Sequence, residues 1–209
     1  AEMVSILTVM LDTYIKNPGR SLDPKWRDSY AAVLDVYLGE NITEFTYEGK
    51  KYTPQQFAEM VKINADDYVN ITSFTQSPFY SNFILNIPDN FSNGSFYNVP
   101  INDLVVIIDN ALKNGYTAEL DCDVSEKTFS SKDGVAVIPS NQLNNLKALH
   151  SIYPEMEVTQ EYRQQEFENF KTTDDHLMHI TGTVKDQNGN KYYKVKNSWG
   201  SDEKRTKFG

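Results

Sequence analysis

The sequence predicts an α+β fold. Helical periodicity dominates up to about residue 115, whereas period-two alternation and the strongest hairpin signal fall beyond it. No internal repeat or low-complexity segment interrupts that order, so repeat architectures are set aside. The 209 residues are expected to form one portion of a domain, mainly helical over about 1–115 and β-rich over about 116–209.

The elements follow in order. Met3, Leu7, Met10 and Tyr14 recur at helical spacing, with no start signal before them. In the next helix Asp23 can cap and Pro24 suits the first turn, while Trp26, Tyr30, Val33, Leu34 and Tyr37 share one face and Gly39 stops it. These two helices are expected to pack as a hairpin. Thr53 and Gln56 have capping-box spacing around Pro54, with Phe57, Met60 and Val61 as the buried stripe. Residues 68–99, rich in Ser, Asn, Pro and aromatics, read as loops with brief extended pieces. A helix then runs from Pro100 to Gly115 with Leu104, Val105, Ile108 and Leu112 on one side. A strand follows, in which Tyr116, Ala118, Leu120, Cys122 and Val124 face inward. Helices are expected from about 140 to 150 and 159 to 170, each opened by a hydroxyl residue, and strands at 176–185 and 191–197 around Asn188-Gly189.

Composition excludes several functions. Hydrophobic residues make up 39%, and the 10 glycines add to the apolar share, enough for a packed core. A net charge of −9, with one dense basic group at Lys204, Arg205 and Lys207, sets nucleic acid aside, because phosphate binding needs clustered cations. No apolar run approaches the roughly 20 residues that span a bilayer, and no signal-peptide pattern opens the chain. Cys122 is the single cysteine, so no disulfide forms within the chain and the redox compartment stays open.

The chemistry concentrates in "DDHLMHITGTVKDQNGNKYYKVKNSWG", residues 174–200. On a strand, His176, Met178, Ile180 and Gly182 face one way and Leu177, His179 and Thr181 the other. Strand parity therefore separates the two histidines, and a metal site is set aside. The ordinary alternative for His176 is a histidine at a strand start, hydrogen-bonded to Asp174 or Asp175. Asn197 argues for more: a hairpin closed near Asn188-Gly189 brings positions 176–178 roughly opposite 197–199. Its amide oxygen can then accept from one ring nitrogen and leave the other free for proton transfer. Trp199 could cover that bond from water, besides ordinary packing.

"DHLMHITG" followed by "VKNSWG" resembles the histidine and asparagine strands of papain-like cysteine peptidases. "YVNITSFTQSPFY", "FYNVPINDL", "ELDCDVSEKTF" and "RQQEFENFKTTDDH" are similar to the bleomycin hydrolase or aminopeptidase C branch, over most of residues 20–209. The resemblance implies a partial papain-like fold: helices plus an antiparallel sheet or half-barrel carrying the two strands. It implies His176 as general base and imidazolium partner, Asn197 as its orienter, Trp199 as shield and Asp175 as the aspartate before the histidine. No cofactor is implied, and His179 receives no role.

The same resemblance puts the nucleophile and the oxyanion glutamine in a "Gln…Cys-Trp" region toward the N-terminus, which these residues lack. Cys122 aligns instead with a cysteine on an interior strand, and an inward strand cysteine is ordinarily inert. The 209 residues are thus expected to be a fragment of a longer enzyme, inactive alone. Peptide substrates, a homohexamer and a cytoplasmic location, with bacterial export as the alternative, are further implications. A peptidase homologue without its nucleophile, serving as a peptide-binding or assembly module, is the competing expectation.

Overall fold

The computed structural model describes residues 2–17, 19 and 21–200. The basic group Lys204, Arg205 and Lys207 lies outside the described residues. The chain divides into two compact units, Ala1–Tyr68 and Val69–Gly209.

In the first unit, α1 (Glu2–Ile15) and α2 (Trp26–Leu38) form the expected hairpin. Tyr14 meets Trp26 edge to face at 6.0 Å between ring centroids, and the Tyr37 hydroxyl donates to Glu2 at 3.1 Å. Gly39 ends α2 at φ +88°, a conformation that suits a residue without Cβ. Asp23 does not cap α2: its carboxylate accepts from Lys25 N–H in a preceding turn, and the helix starts at Trp26 without a side-chain cap. The Pro24 ring sits in that turn rather than in the helix.

Sequence reading missed the hairpin of β1 (Phe45–Tyr47) and β2 (Lys50–Tyr52). Glu48 and Gly49 both take positive φ, the backbone of a two-residue hairpin turn, but Glu-Gly is a weak signal for it. Helix α3 (Pro54–Met60) opens with the full capping box between Thr53 and Gln56. Its Phe57 packs edge to face against Phe45, Tyr47 and Tyr52.

The second unit holds two small three-stranded sheets. In one, β5 (Ser95–Asn98) lies between β3 (Ile71–Thr72), parallel, and β4 (Ser81–Ile84), antiparallel. In the other, β9 (His176–Lys185) is central between β10 (Lys191–Lys196) and β6 (Ala118–Cys122), all antiparallel. The β7–β8 pair (Phe129–Ser130, Val135–Ala136) lies between β6 and β9 in sequence. Helix α4 (Ile101–Lys113) links the two sheets in sequence, and Asp109 on it binds Lys191 and the Tyr193 hydroxyl of β10.

Between residues 140 and 150 the sequence led us to expect one helix. The structure has a 3-10 turn (Gln142–Asn144) and a single α-turn, α5 (Asn145–Ala148), and Asn141 rather than Ser140 accepts the capping bond, from Leu143 N–H. Thr159 does cap α6 (Gln160–Glu168), accepting from Tyr162 N–H.

Much of the interior is polar. Asn98 and Ser73 are fully buried beside Val99, Phe74, Thr72 and Leu85. Asn98 accepts from Phe74 N–H at 2.9 Å and donates to the carbonyls of Phe74 and Ser77 at 2.8 and 2.9 Å. From α6, Gln164 accepts from Thr75 N–H, Arg163 donates to the Ser73 carbonyl and lies over the Phe74 ring, and Gln160 accepts from Ile101 N–H at the start of α4. Every turn of α6 therefore holds either residues 73–76 or α4, which fixes the helix that leads toward β9.

Candidate active site

The hairpin of β9 and β10 carries the candidate residues. Its loop is not the two-residue turn that Asn188-Gly189 suggests. Gly189 N–H bonds Asp186 C=O, Gly189 takes φ +86°, and Asp186 N–H bonds Asn190 C=O, giving a three-residue loop with glycine in the left-handed position. The Asp186 carboxylate gathers Asn188 N–H, Asn190 N–H and the Asn190 amide, each at 2.8 Å.

Along the strands the register changes once. Pairs from Lys191↔Lys185 to Lys194↔Gly182 are continuous; the next are Val195↔Ile180 and Lys196↔His179, so Thr181 is an extra residue in β9. Its hydroxyl donates to the Lys194 carbonyl at 3.2 Å. This one-residue bulge decides which histidine Asn197 meets. The first register, continued, would set Asn197 opposite His179; the shifted one sets it opposite Met178, on the face of His176.

His176 Nε2 and Asn197 Oδ1 are 2.8 Å apart. Oδ1 also accepts from Ser198 N–H at 2.7 Å. A backbone N–H must meet an oxygen, so this second bond fixes the orientation of the amide and makes Nε2 the proton-bearing nitrogen. In the neutral ring, Nδ1 then carries the lone pair, and it has no hydrogen-bond partner among the described residues. Trp199 lies at 4.6 Å between ring centroids, tilted 42° from the imidazole, and Phe129 meets Trp199 edge on at 6.2 Å. Trp199 is itself 42% exposed, so it covers the bond on one side only.

His179, on the other face, is exposed and bonds the Thr117 hydroxyl at 2.7 Å. Among the described residues no group of metal-ligating side chains is assembled. Neither Asp174 nor Asp175 bonds His176. Asp175 accepts from Val124 N–H at 2.9 Å, and its own N–H donates to the Cys122 carbonyl. Asp174 Oδ2 is buried without a partner among the described residues, and burial pushes that carboxyl above its ordinary value.

Cys122 is the register partner of His176 and is half-buried on the same face of the sheet. Burial, followed by the nearby carboxylates Asp121, Asp175 and Asp123, pushes its thiol up to about 11. At neutral pH only about one such thiol in ten thousand is ionised. No hydrogen bond joins it to the imidazole among the described residues.

Sequence reading passed over Asp123, which is 8% exposed and touches the lead-in to β9. One of its oxygens accepts from Ser125 N–H and hydroxyl, both 2.7 Å; the other accepts from Thr173 N–H at 2.8 Å and hydroxyl at 3.2 Å. Burial pushes this carboxyl up, but the four donors outweigh it and hold the group below its ordinary value. The local half of this arrangement was legible as Asp-Val-Ser, an Asx-turn pattern. The bonds to Thr173, fifty residues away, were not.

The structure thus brings His176, Asn197 and Trp199 together on one antiparallel sheet. The sequence matches the Peptidase C1-like family over residues 39–208, and the chain belongs to that family. It is similar to the crystal structure of PepW from Lactobacillus rhamnosis HN001 (DR20), determined as the selenomethionine derivative, with a TM-score of 0.60 and 19% identity over 96% of this chain and 48% of that one. At that identity the likeness shows the fold alone, and the chain spans about half the length of that structure. No curated protein matches the chain.

Proposed function

We propose that these residues supply the proton-handling half of a cysteine peptidase of the bleomycin hydrolase or aminopeptidase C type, acting on the N-terminal bonds of peptides. The observation that carries this reading is the Nε2–Asn197 bond with Nδ1 left without a partner among the described residues, because it commits the ring to work through Nδ1. A thiol from outside these 209 residues passes its proton to Nδ1, and the resulting imidazolium stabilises the thiolate. The thiolate attacks the amide carbonyl. Nδ1–H then protonates the leaving amine, and His176 activates the water that hydrolyses the acyl-enzyme.

Asn197 holds the ring, Trp199 covers one side of their bond, and Asp175 pins the backbone just before His176. By resemblance the whole protein is cytoplasmic and assembles as a homohexamer. The raised thiol of Cys122 favours a nucleophile elsewhere and equally suits a homologue that binds peptides without cleaving them.

The test compares residues 1–209 with the complete natural reading frame, using aminoacyl-coumarylamide substrates. Turnover by the complete protein, none by residues 1–209 and no effect of Cys122→Ala on the complete protein are the expected results. Turnover by residues 1–209 that Cys122→Ala abolishes would overturn the assignment of the nucleophile. Peptide binding without turnover by the complete protein would establish the binding module instead.

A further inference from the structure

We propose that Asp123 is a positioning residue for His176, setting where the imidazole enters the site by fixing the first residues of the histidine strand. The inference rests on the reading of His176 given above. His176 is the first residue of β9, so its backbone has ladder support on the C-terminal side only, and what precedes it must be held another way. The sequence there, Thr172 to Asp175, has no apolar side chain to bury. Instead it is laced to the last residue of β6 and the segment after it by four sets of bonds. Thr172 donates to Glu126 at 3.1 Å; Thr173 donates twice to Asp123; Asp175 accepts from Val124 N–H; and Asp175 N–H reaches the Cys122 carbonyl.

Of the side chains in this lacing, Asp123 is the buried one. No lysine or arginine forms an ion pair with it among the described residues, so its charge is balanced by N–H and O–H donors alone. Such a carboxylate constrains direction tightly, because each oxygen has two donors on a separate segment: Ser125 on one side and Thr173 on the other. Loss of the Thr173 side removes the one buried anchor of the approach to His176 and leaves it held by the bonds of Thr172 and Asp175 alone. The ring would then be tethered through Asn197, with its own backbone held less firmly from the N-terminal side. Displacements of about 1 Å at a catalytic group can cost on the order of a hundredfold in rate.

The experiment reads the imidazole directly. In ¹⁵N-edited NMR of the protein, the Nε2-bound proton of His176 reports the bond to Asn197. Asp123→Ala should speed its exchange with water at least about tenfold and mix the two tautomers, whereas Asp186→Ala, which removes a similar clasp at the far end of the hairpin, should leave both unchanged. Asp123→Asn keeps one acceptor oxygen and should give intermediate exchange; it carries the test if the alanine variant does not fold. In the complete enzyme Asp123→Ala should lower kcat at unchanged KM. A fall in Tm with the His176 signal as in the parent, in whichever of the two variants folds, would reduce Asp123 to a structural role and overturn the inference. If instead His176→Ala leaves turnover intact while the NMR effects hold, the functional reading fails and the positioning role survives.

Discussion

At each end of the β9–β10 hairpin an aspartate gathers donors, but the two clasps differ in reach. Asp186 closes the loop with groups no more than four residues away, and it is only partly buried. Asp123 is buried and binds Thr173 across fifty residues. The first clasp secures a turn that the strands could close in other ways; the second secures the residues on which His176 stands. Local bonds set the hairpin's shape, while non-local ones and a single bulge set which side chains meet at its open end.

The most forceful way to break this contrast is at the histidines. His176→Ala in the complete enzyme should cost about a thousandfold or more in kcat, while His179→Ala, on the opposite face and bonded to Thr117, should leave turnover within about threefold, a surface-like effect. Equal losses would erase the distinction between the faces.

Stability sharpens the comparison at smaller scale. Asp123→Ala removes a buried carboxylate that holds part-buried donors on two segments and should cost about 2 kcal/mol in urea unfolding, whereas Asp186→Ala should leave the urea midpoint near that of the parent. The pH dependence has a definite sign. Because the folded carboxyl of Asp123 is held below its ordinary value, its stabilisation is fully present above the unfolded pKa of about 3.9 and is lost as pH falls through the lower folded one. The difference between Asp123→Ala and the parent should therefore shrink in acid. The smallest effect is at Cys122: with its thiol at about 11, iodoacetamide at pH 7 should alkylate it far more slowly than it does free cysteine. Rapid alkylation, read by intact mass, would contradict the inert role.

What was legible in the sequence follows the same division. The strand His176–Lys185, the capping box at Thr53 and Gln56, the Thr159 cap and the stop at Gly39 were all foreseen, because each is decided within a few residues. The register was not. Alternation and an Asn-Gly pair bring His176 and Asn197 into the same neighbourhood, but the bulge at Thr181 depends on how three strands twist together. The short helix near residue 145 shows the reverse failure: a helix-like stretch of Asn, Leu and Lys was overridden by the loop that Asn141 closes. Asp175, read as a companion of the histidine side chain, turned out to hold Val124 instead, a contact that its position next to His176 could not disclose.

The central claim is that His176 works through Nδ1 toward a sulfur that these 209 residues do not supply. It is tested most directly by a crystal structure of the complete protein carrying a thiol-directed peptidyl adduct. The adduct sulfur should lie within roughly 3–4 Å of His176 Nδ1, with Nε2 still bonded to Asn197. An adduct on Cys122, or a modified sulfur facing His179 or the Nε2 edge, would contradict it.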